Sequence, residues 1–153
     1  MSSQASATAQ ARHRWIPAVG AAALPPAPQR LQLSRVLGHS ASGSQSAAYN
    51  PVQSSQLAYV AGSVLVLYDQ RADEQKRLMV GRRGRELAAV SWSAEGEWIV
   101  AAERGNNAAV IIFNAATGAK IATIVGHTGS VTTAKMSPLK DFIAVVSDEQ
   151  TRQ

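Results

Sequence analysis

Histidine is the side chain in this sequence best suited to acid–base or metal chemistry, and three histidines are present. His13 lies near the N-terminus, whereas His39 and His127 each directly follow a glycine. The sequence has no cysteine, and no histidine pair or histidine–carboxylate group stands at the spacing that metal ligands require. The serines lack the Gly-x-Ser-x-Gly pattern of a nucleophile elbow. We therefore expect no enzyme activity, no metal and no cofactor, and a structural role for the two Gly-His pairs.

A basic cluster is the second group of residues with possible chemistry. The stretch KRLMVGRRGRE places five cations within ten residues, and these are Lys76, Arg77, Arg82, Arg83 and Arg85. Such a cluster could contact an acidic surface, for example a tubulin wall or an RNA backbone. Alternatively, it is a charged edge strand that blocks unwanted strand pairing. No aromatic residues alternate with the cations, which weakens the case for single-stranded nucleic acid.

Charge is spread unevenly over the 153 residues. The formal net charge is +5, and no aspartate or glutamate precedes Asp69. A basic balance favours acidic partners, although ordinary solubility charge explains the same value. Three glutamates near one turn, Glu95, Glu97 and Glu103, are interpreted as solvated charges. The lack of cysteine fits a reducing compartment, and no apolar run approaches the ~18 residues of a membrane helix, so we expect no membrane partner.

The first 30 residues differ in composition from the rest of the chain. They are rich in Ala, Ser, Gln and Pro and offer too few large apolar side chains to offset the entropy of ordering. We predict a disordered basic tail, and three roles stay open. It is an inert tail, a mitochondrial transit peptide, or a basic-aromatic anchor for an acidic partner. The anchor would consist of Arg12, Arg14 and Trp15, beside His13.

From Leu31 onward the apolar residues recur with a period of two, which predicts β-strands. Runs such as QLAYVAG, SVLVLYD, EWIVAAE and FIAVVSD are separated by short stretches rich in Gly, Asn, Ser, Pro and Asp. This pattern indicates an all-β meander with short hairpin turns. Strands of about 6–8 residues at regular spacing are typical of a sandwich, a barrel or a propeller.

An internal repeat decides between these folds. Three segments, 38–69, 84–114 and 126–153, each begin with Gly followed by His or Arg, and each continues as strand, turn, strand. The first two end in an aromatic residue and Asp or Asn, namely Tyr68-Asp69 and Phe113-Asn114. A period of about 40–46 residues with four strands per unit predicts propeller blades.

These three copies resemble the WD-repeat family over 31–153. The resemblance implies a β-propeller, incomplete here, with about two and a half four-stranded blades. It places an outer strand that closes the last blade at 31–38, blade 1 at 39–83, blade 2 at 84–125 and a partial blade 3 at 126–153. Such a chain is expected to be a fragment or a half-propeller, completed by further sequence or by another chain.

The resemblance gives the Gly-His pairs an architectural meaning. In WD repeats the histidine joins a buried network with an Asp, a Ser or Thr, and the Trp of the third strand. In this sequence His127, Ser147 and Asp148 can fill three of these places, and His39 stands alone in the first copy. Tyr68, Asp69 and Phe113 stand near the Trp-Asp position. Because Arg85 replaces the histidine in the second copy, no such network is expected there, and that blade should depend on apolar packing.

A finer resemblance is to the first blades of tandem-propeller WD proteins of the cytoskeleton, centriole and ciliary axoneme. It rests on QLAYVAGSVLVLYD and on the lengthened hairpin AAERGNNAAVIIFNAATG. It implies a scaffold for protein–protein interactions in a microtubule-based assembly, with tubulin or axonemal proteins as partners, in the cytoplasm at the cytoskeleton or cilium. Two alternatives stay open: a ribonucleoprotein or ribosome-assembly component, and a cytosolic signalling scaffold that docks kinases or peptides.

Overall fold

The fold was analysed in a computed structural model that describes residues 33–40, 45–82 and 84–148. The secondary structure of these residues is β-strand only, so the predicted all-β class is confirmed. The ten strands are β1 (Ala47–Tyr49), β2 (Gln56–Ala61), β3 (Val64–Asp69), β4 (Glu74–Val80), β5 (Leu87–Trp92), β6 (Trp98–Glu103), β7 (Val110–Asn114), β8 (Lys120–Ile124), β9 (Ser130–Met136) and β10 (Ile143–Asp148).

The strands form three antiparallel sheets in chain order. Strands β1 to β4 make the first four-stranded sheet and β5 to β8 the second, while β9 and β10 pair with each other. The first sheet lies within 39–83 and the second within 84–125, the ranges predicted for two blades. In the hairpin between β2 and β3, Val64 pairs with Ala61 across two residues, Gly62 and Ser63. The φ of Gly62 is +62°, a conformation that such tight hairpins require and that glycine adopts without strain.

The sheets stack in sequence through two separate apolar clusters. The first cluster joins sheets one and two through large side chains that include Leu65, Leu67, Met79, Leu87, Ile99, Ile111 and Phe113. The second cluster joins sheet two to β9 and β10 through smaller side chains that include Ala89, Val100, Ala102, Ala108, Val110, Val131 and Ala134. Strands β5, β6 and β7 of the middle sheet therefore contribute to a core on both faces, which explains their nearly continuous burial.

The first strands of the three sheets lie side by side, and we call them the inner strands. The Val90 N–H of β5 donates to Gln45 O, just before β1, at 2.8 Å. On the other side, Ser91 Oγ donates to Ala134 O of β9 at 2.6 Å. Sequential four-stranded sheets whose first strands meet are the arrangement of propeller blades, so the predicted incomplete propeller is confirmed.

Because each sheet is a meander, its loops fall at two ends. We call the end with the turns β1–β2, β3–β4, β5–β6, β7–β8 and β9–β10 the lower end. The upper end carries the β2–β3 and β6–β7 hairpins and the connections between sheets. No helix that could span a membrane is found in the part of the chain that the structure describes.

The outer strand expected at 31–38 is not formed in the described residues 33–38. Whether this segment closes the last blade of a ring stays a prediction. Within the described residues, the peptide group of Val36 pairs with a side chain. The Val36 N–H donates to Gln75 Oε1 at 3.0 Å, and Gln75 Nε2 donates to Val36 O at 2.6 Å. Gln75 thus satisfies locally the two groups that a strand partner would otherwise pair with.

Candidate interaction surfaces

The basic cluster begins on β4, where both cations already have partners within the chain. Lys76 Nζ lies 2.7 Å from the Glu74 carboxylate, and this hydrogen bond raises the pKa of Lys76. The Arg77 guanidinium donates twice to Ala116 O, at 2.9 and 3.2 Å, in the β7–β8 turn of the next sheet. Arg77 therefore ties the outer strand of the first sheet to the second.

The next two cations of the cluster lie at the upper end, in the connection between the first two sheets. Arg82 Nε donates to both carboxylate oxygens of Glu103 at 2.9 Å, and its terminal nitrogen donates to Glu103 and, at 2.7 Å, to Asn107 O. Arg85 donates to Asn106 O at 2.7 Å. Both arginines therefore hold the β6–β7 hairpin.

Glu103 is the fully buried member of this group, at 0% exposure. The expectation that Glu103 is a solvated charge was wrong. Glu103 is the last residue of β6, and the β6–β7 hairpin covers its side chain. Its carboxylate also accepts the Ala109 N–H at 3.1 Å. Burial by itself raises the pKa of Glu103, but the hydrogen bonds from Arg82 and Ala109 outweigh it and hold that pKa below its ordinary value.

The second sheet therefore has a polar network after all. Arg85 does not take the histidine's place; instead Arg82 and Glu103 form an ion pair at the junction of the first two sheets. The expectation that this blade lacks the histidine network and relies more on apolar packing stays a prediction. The ion pair adds a different polar contact, formed by Arg82, three residues before Arg85.

Whether the basic cluster binds an external partner stays a prediction. Its four described cations, Lys76, Arg77, Arg82 and Arg85, each bond to an oxygen of the chain, which restricts their side chains. Arg83 lies outside the described residues, as do Arg12, Arg14 and Trp15 of the N-terminal anchor.

The two Gly-His pairs differ in their surroundings. A hydrogen bond of 3.0 Å joins His39 Nε2 to Ser46 Oγ, and the ring meets Tyr59 edge-on with centroids 6.5 Å apart. His127 is half-buried, and within the described residues no hydrogen bond links its side chain to Ser147 or Asp148. Ser147 and Asp148 lie on β10, opposite Val131 and Ser130. The network predicted for the third copy therefore stays a prediction.

Tyr68-Asp69 and Phe113-Asn114 occupy equivalent places, since each pair ends the third strand of its sheet. Asp69 ends β3, and its carboxylate accepts the Arg71 N–H at 3.0 Å; Asn114 ends β7 and accepts the Thr117 N–H at 2.9 Å. Both side chains cap the following turn, as Asp and Asn commonly do. Before them, Phe113 is buried in the core, whereas Tyr68 is half-buried with its hydroxyl on Asp73, and this hydrogen bond raises the pKa of Tyr68.

Asn50 is a buried residue at the lower end whose side chain connects the first two sheets. Its Oδ1 accepts the N–H groups of Val52 and Gln53 at 2.9 and 3.1 Å. Its Nδ2 donates to Gln56 Oε1 at 2.9 Å and to Gly96 O of the next sheet at 3.3 Å. The Asn-Pro pair at the end of a strand was the available signal, since Asn before a turn often bonds to the backbone two residues on.

Lys140 connects the second and third sheets through ion pairs. Its ammonium pairs with Glu95 and Glu97, at 2.8 Å to the latter, and lies 4.7 Å from the centre of the Trp98 ring. The two glutamates raise the pKa of Lys140. Glu95 and Glu97 are exposed as expected, but they bind a cation of another repeat, which the sequence does not reveal because 43 residues separate Lys140 from Glu97.

The described residues form several clefts, and two of them lie beside the side chains described above. One, of about 400 Å³, lies at the lower end between the first two sheets and is lined by Asn50, Gln53, Glu95 and Glu97 among others. The other, of about 350 Å³, lies on the inner strands. We call the second the inner cleft. Within the described residues no group of His, Cys, Asp and Glu could hold a metal ion.

Part of the chain is similar in sequence to WD-repeat proteins. No protein-family model matches the sequence. The chain is 31% identical over 98 residues, 64% of its length, to pig (Sus scrofa) WD repeat-containing protein 62. It is 31% identical, again over 98 residues, to mouse (Mus musculus) mitogen-activated protein kinase-binding protein 1. These alignments span 6% of each of the two relatives.

A solved structure shares the fold. A chain in the crystal structure of a mitotic checkpoint complex superposes with a TM-score of 0.58 at 14% sequence identity. The match covers 67% of this chain and 31% of the other. The sequence comparison supports a relationship to WD-repeat proteins, in agreement with the repeat of three registered copies, and the structural comparison shows the shared fold.

Proposed function

We propose that this chain, a relative of the WD-repeat proteins with a partial β-propeller fold, works as a non-catalytic scaffold for protein–protein interactions. The observation that carries the proposal is the stack of repeated sheets, tied to one another at both ends by Arg82–Glu103, Asn50–Gly96 and Lys140–Glu97. Such ties fix the positions of loops from successive repeats. A rigid array of loops is suited to holding partners, because functional residues commonly lie on loops positioned by a rigid scaffold.

The finer proposal is a microtubule-based assembly, in the cytoplasm at the cytoskeleton, spindle, centriole or cilium. It is supported by the resemblance of the first two repeats to cytoskeletal WD proteins. It is also supported by the net charge of +5 and by the lack of acidic residues before Asp69, since a tubulin wall is acidic. Arg77 and Arg82 already bond within the fold. Contact with a partner would therefore be made first by the N-terminal tail, through the cations Arg12 and Arg14 and the aromatic ring of Trp15.

Co-pelleting with microtubules tests this proposal. The full chain is expected to pellet with polymerised tubulin at low salt and to be released as salt rises, because exposed charges are screened. The variant Arg12→Gln/Arg14→Gln should pellet less, whereas the control Lys76→Gln/Arg77→Gln, which removes the same number of charges, should pellet as the unchanged chain does. The absence of pelleting at low salt would remove the tubulin proposal, and equal pelleting of both variants would show that Arg12 and Arg14 do not make the contact. Salt-dependent binding to RNA in place of tubulin would support the ribonucleoprotein alternative.

A second candidate is a kinase-docking scaffold. The observation that favours it is the name of one relative, a mitogen-activated protein kinase-binding protein, which is 31% identical over 98 residues. Purified mitogen-activated protein kinases immobilised on a sensor surface provide the test. Saturable binding of the full chain at micromolar concentration or below would support the candidate, and binding no stronger than that of an unrelated propeller would exclude it.

A further inference from the structure

The inner cleft is built from equivalent positions of three repeats. Tyr49, Trp92 and Met136 are the last residues of β1, β5 and β9, and all three line the cleft. The first strand of each sheet therefore ends in a large apolar or aromatic side chain at the lower end. Three such side chains converging on one cleft of about 350 Å³ offer a platform for one or two apolar side chains of a ligand.

The platform is held in place and is accessible. The Trp92 indole N–H donates to Ala48 O at 2.9 Å, which fixes the ring across the first two inner strands. Tyr49 is 56% exposed, and Trp92 and Met136 are half-buried. Aromatic side chains with one face packed and the other open are common anchors for protein partners.

Gln45 lines the cleft, and its side-chain oxygen lacks a hydrogen-bond donor among the described residues. Gln45 Oε1 is buried and accepts no hydrogen bond within the described residues. A buried acceptor without a donor is unfavourable, so a ligand N–H that reaches it gains a hydrogen bond. The backbone of an extended peptide carries such a group at each residue other than proline.

A charged side chain, that of Lys135, also lines the cleft. Lys135 lies on β9, is exposed, and forms no ion pair in the described part of the chain. Its natural complement is a carboxylate. Residues 1–32 contain no aspartate or glutamate, so the N-terminal tail cannot supply it.

We propose that the inner cleft binds an extended segment of a protein partner in which an apolar side chain stands next to an aspartate or glutamate. The apolar side chain lies on Tyr49, Trp92 and Met136, the carboxylate pairs with Lys135, and a backbone N–H donates to Gln45 Oε1. The proposal rests on the scaffold function and names the chemistry of one partner site. It places that site at the lower end of the inner strands and not on the basic cluster.

Selection from a peptide library is the first step of the test. Random ten-residue peptides displayed on phage are selected on the immobilised full chain and then counted by sequencing. The expected result is enrichment of peptides with Asp or Glu adjacent to a large apolar residue. If no peptides are enriched, or if the enriched peptides lack an acidic residue, the proposal is overturned.

Fluorescence then locates the binding site of the enriched peptides. Trp92 becomes the sole tryptophan in the variant Trp15→Phe/Trp98→Phe, and its emission should change on peptide binding because the ring lies in the cleft. In that background, Lys135→Glu and Tyr49→Ser should each weaken binding about tenfold or more. Lys120→Glu, an equal charge change on the exposed outer strand β8, should leave affinity unchanged.

Folding is checked separately by thermal melting, so that lost binding is not confused with lost structure. If Lys135→Glu and Lys120→Glu weaken binding equally, the attraction is one of net charge and the inner cleft is not the site. If peptides fail while the chain still pellets with microtubules or binds a kinase, the scaffold function stands and the cleft proposal alone is wrong.

Discussion

The two junctions between successive sheets are built in opposite ways. The first junction, between β1–β4 and β5–β8, encloses large side chains such as Leu87, Ile99 and Phe113, all at most 1% exposed. The second junction, between β5–β8 and β9–β10, is packed mainly with alanine and valine, including Ala102, Val110 and Ala134. The same middle sheet thus presents a bulky face to one neighbour and a close, small-residue face to the other.

The ion pairs at the two junctions also differ in how deeply they are buried. At the first junction the ion pair of Arg82 with Glu103 lies beneath the upper-end hairpin, and the carboxylate is fully buried. At the second junction Lys140 pairs with Glu95 and Glu97, whose side chains are 59% and 60% exposed. A buried charge is costly to leave unpaired, whereas an exposed pair contributes little and is screened by salt. We therefore expect added salt to weaken the second junction and to leave the first almost unchanged.

The largest effect is expected at Glu103. The change Glu103→Gln leaves Arg82 partly buried without its counter-charge, which should lower the free energy of unfolding by about 3 kcal/mol, the lower end of the range for broken buried pairs. Urea unfolding followed by circular dichroism measures it. Replacing both partners, as Arg82→Met/Glu103→Leu, should recover only part of the loss, because the charges are gone but the buried Ala109 N–H then lacks its acceptor. A double variant as unstable as Glu103→Gln would show that the ion pair is not the cause.

The pH dependence of stability gives an independent reading of the same pair. The pKa of Glu103 is lower in the folded chain than in the unfolded chain. Its contribution is therefore fully present above the unfolded pKa and is lost as the pH falls through the folded one. Unfolding midpoints measured between neutral and acidic pH should fall less steeply in Glu103→Gln than in the unchanged chain.

A smaller effect is expected at the lower end of the first junction. Gly96 has a φ of +68°, and a Cβ at this position would lie 2.9 Å from Asn50 Cγ and overlap Oδ1. The change Gly96→Ala should therefore cost about 2 kcal/mol, from the left-handed backbone and from displacement of the Asn50 amide. Gly84→Ala is the matched control, since Gly84 has a φ of +70° but nothing within 4 Å of an added Cβ.

The difference between these two variants measures the contact alone. Gly84→Ala should cost about 1 kcal/mol, the strain of the backbone without a clash. Equal losses in urea unfolding would mean that the Asn50 side chain moves away freely and that its bond to Gly96 O does not hold the junction.

The strands and the blade pattern were predictable because they depend on local signals. Alternating apolar residues and short Gly- or Asn-containing turns specify the hairpins, and the repeat of about 40–46 residues specifies the stack. The Asp69 and Asn114 caps also follow from the residue type at a strand end. These features need only neighbours in sequence, so a single sequence contains them.

The ties between sheets were not predictable in the same way. Arg82 meets Glu103, Asn50 meets Gly96, and Lys140 meets Glu97 only after the sheets have stacked. The charge pattern led us to interpret Glu103 as solvated, and nothing in its sequence context indicates that the β6–β7 hairpin covers it. Likewise, no local signal shows that the Gln75 side chain will pair with Val36.

The smallest effect is expected at the second junction and separates it most directly from the first. Lys140→Met removes a cation that pairs with Glu95 and Glu97 and lies over Trp98, while its apolar stem is kept. The loss in unfolding free energy should be smaller than that of Gly96→Ala. It should also shrink further in about 1 M salt, where the Debye length falls to ~3 Å, whereas the loss in Glu103→Gln should change little. A salt-independent loss in Lys140→Met would contradict the contrast between the junctions, because it would assign the stabilisation to packing on Trp98 and not to the exposed charges.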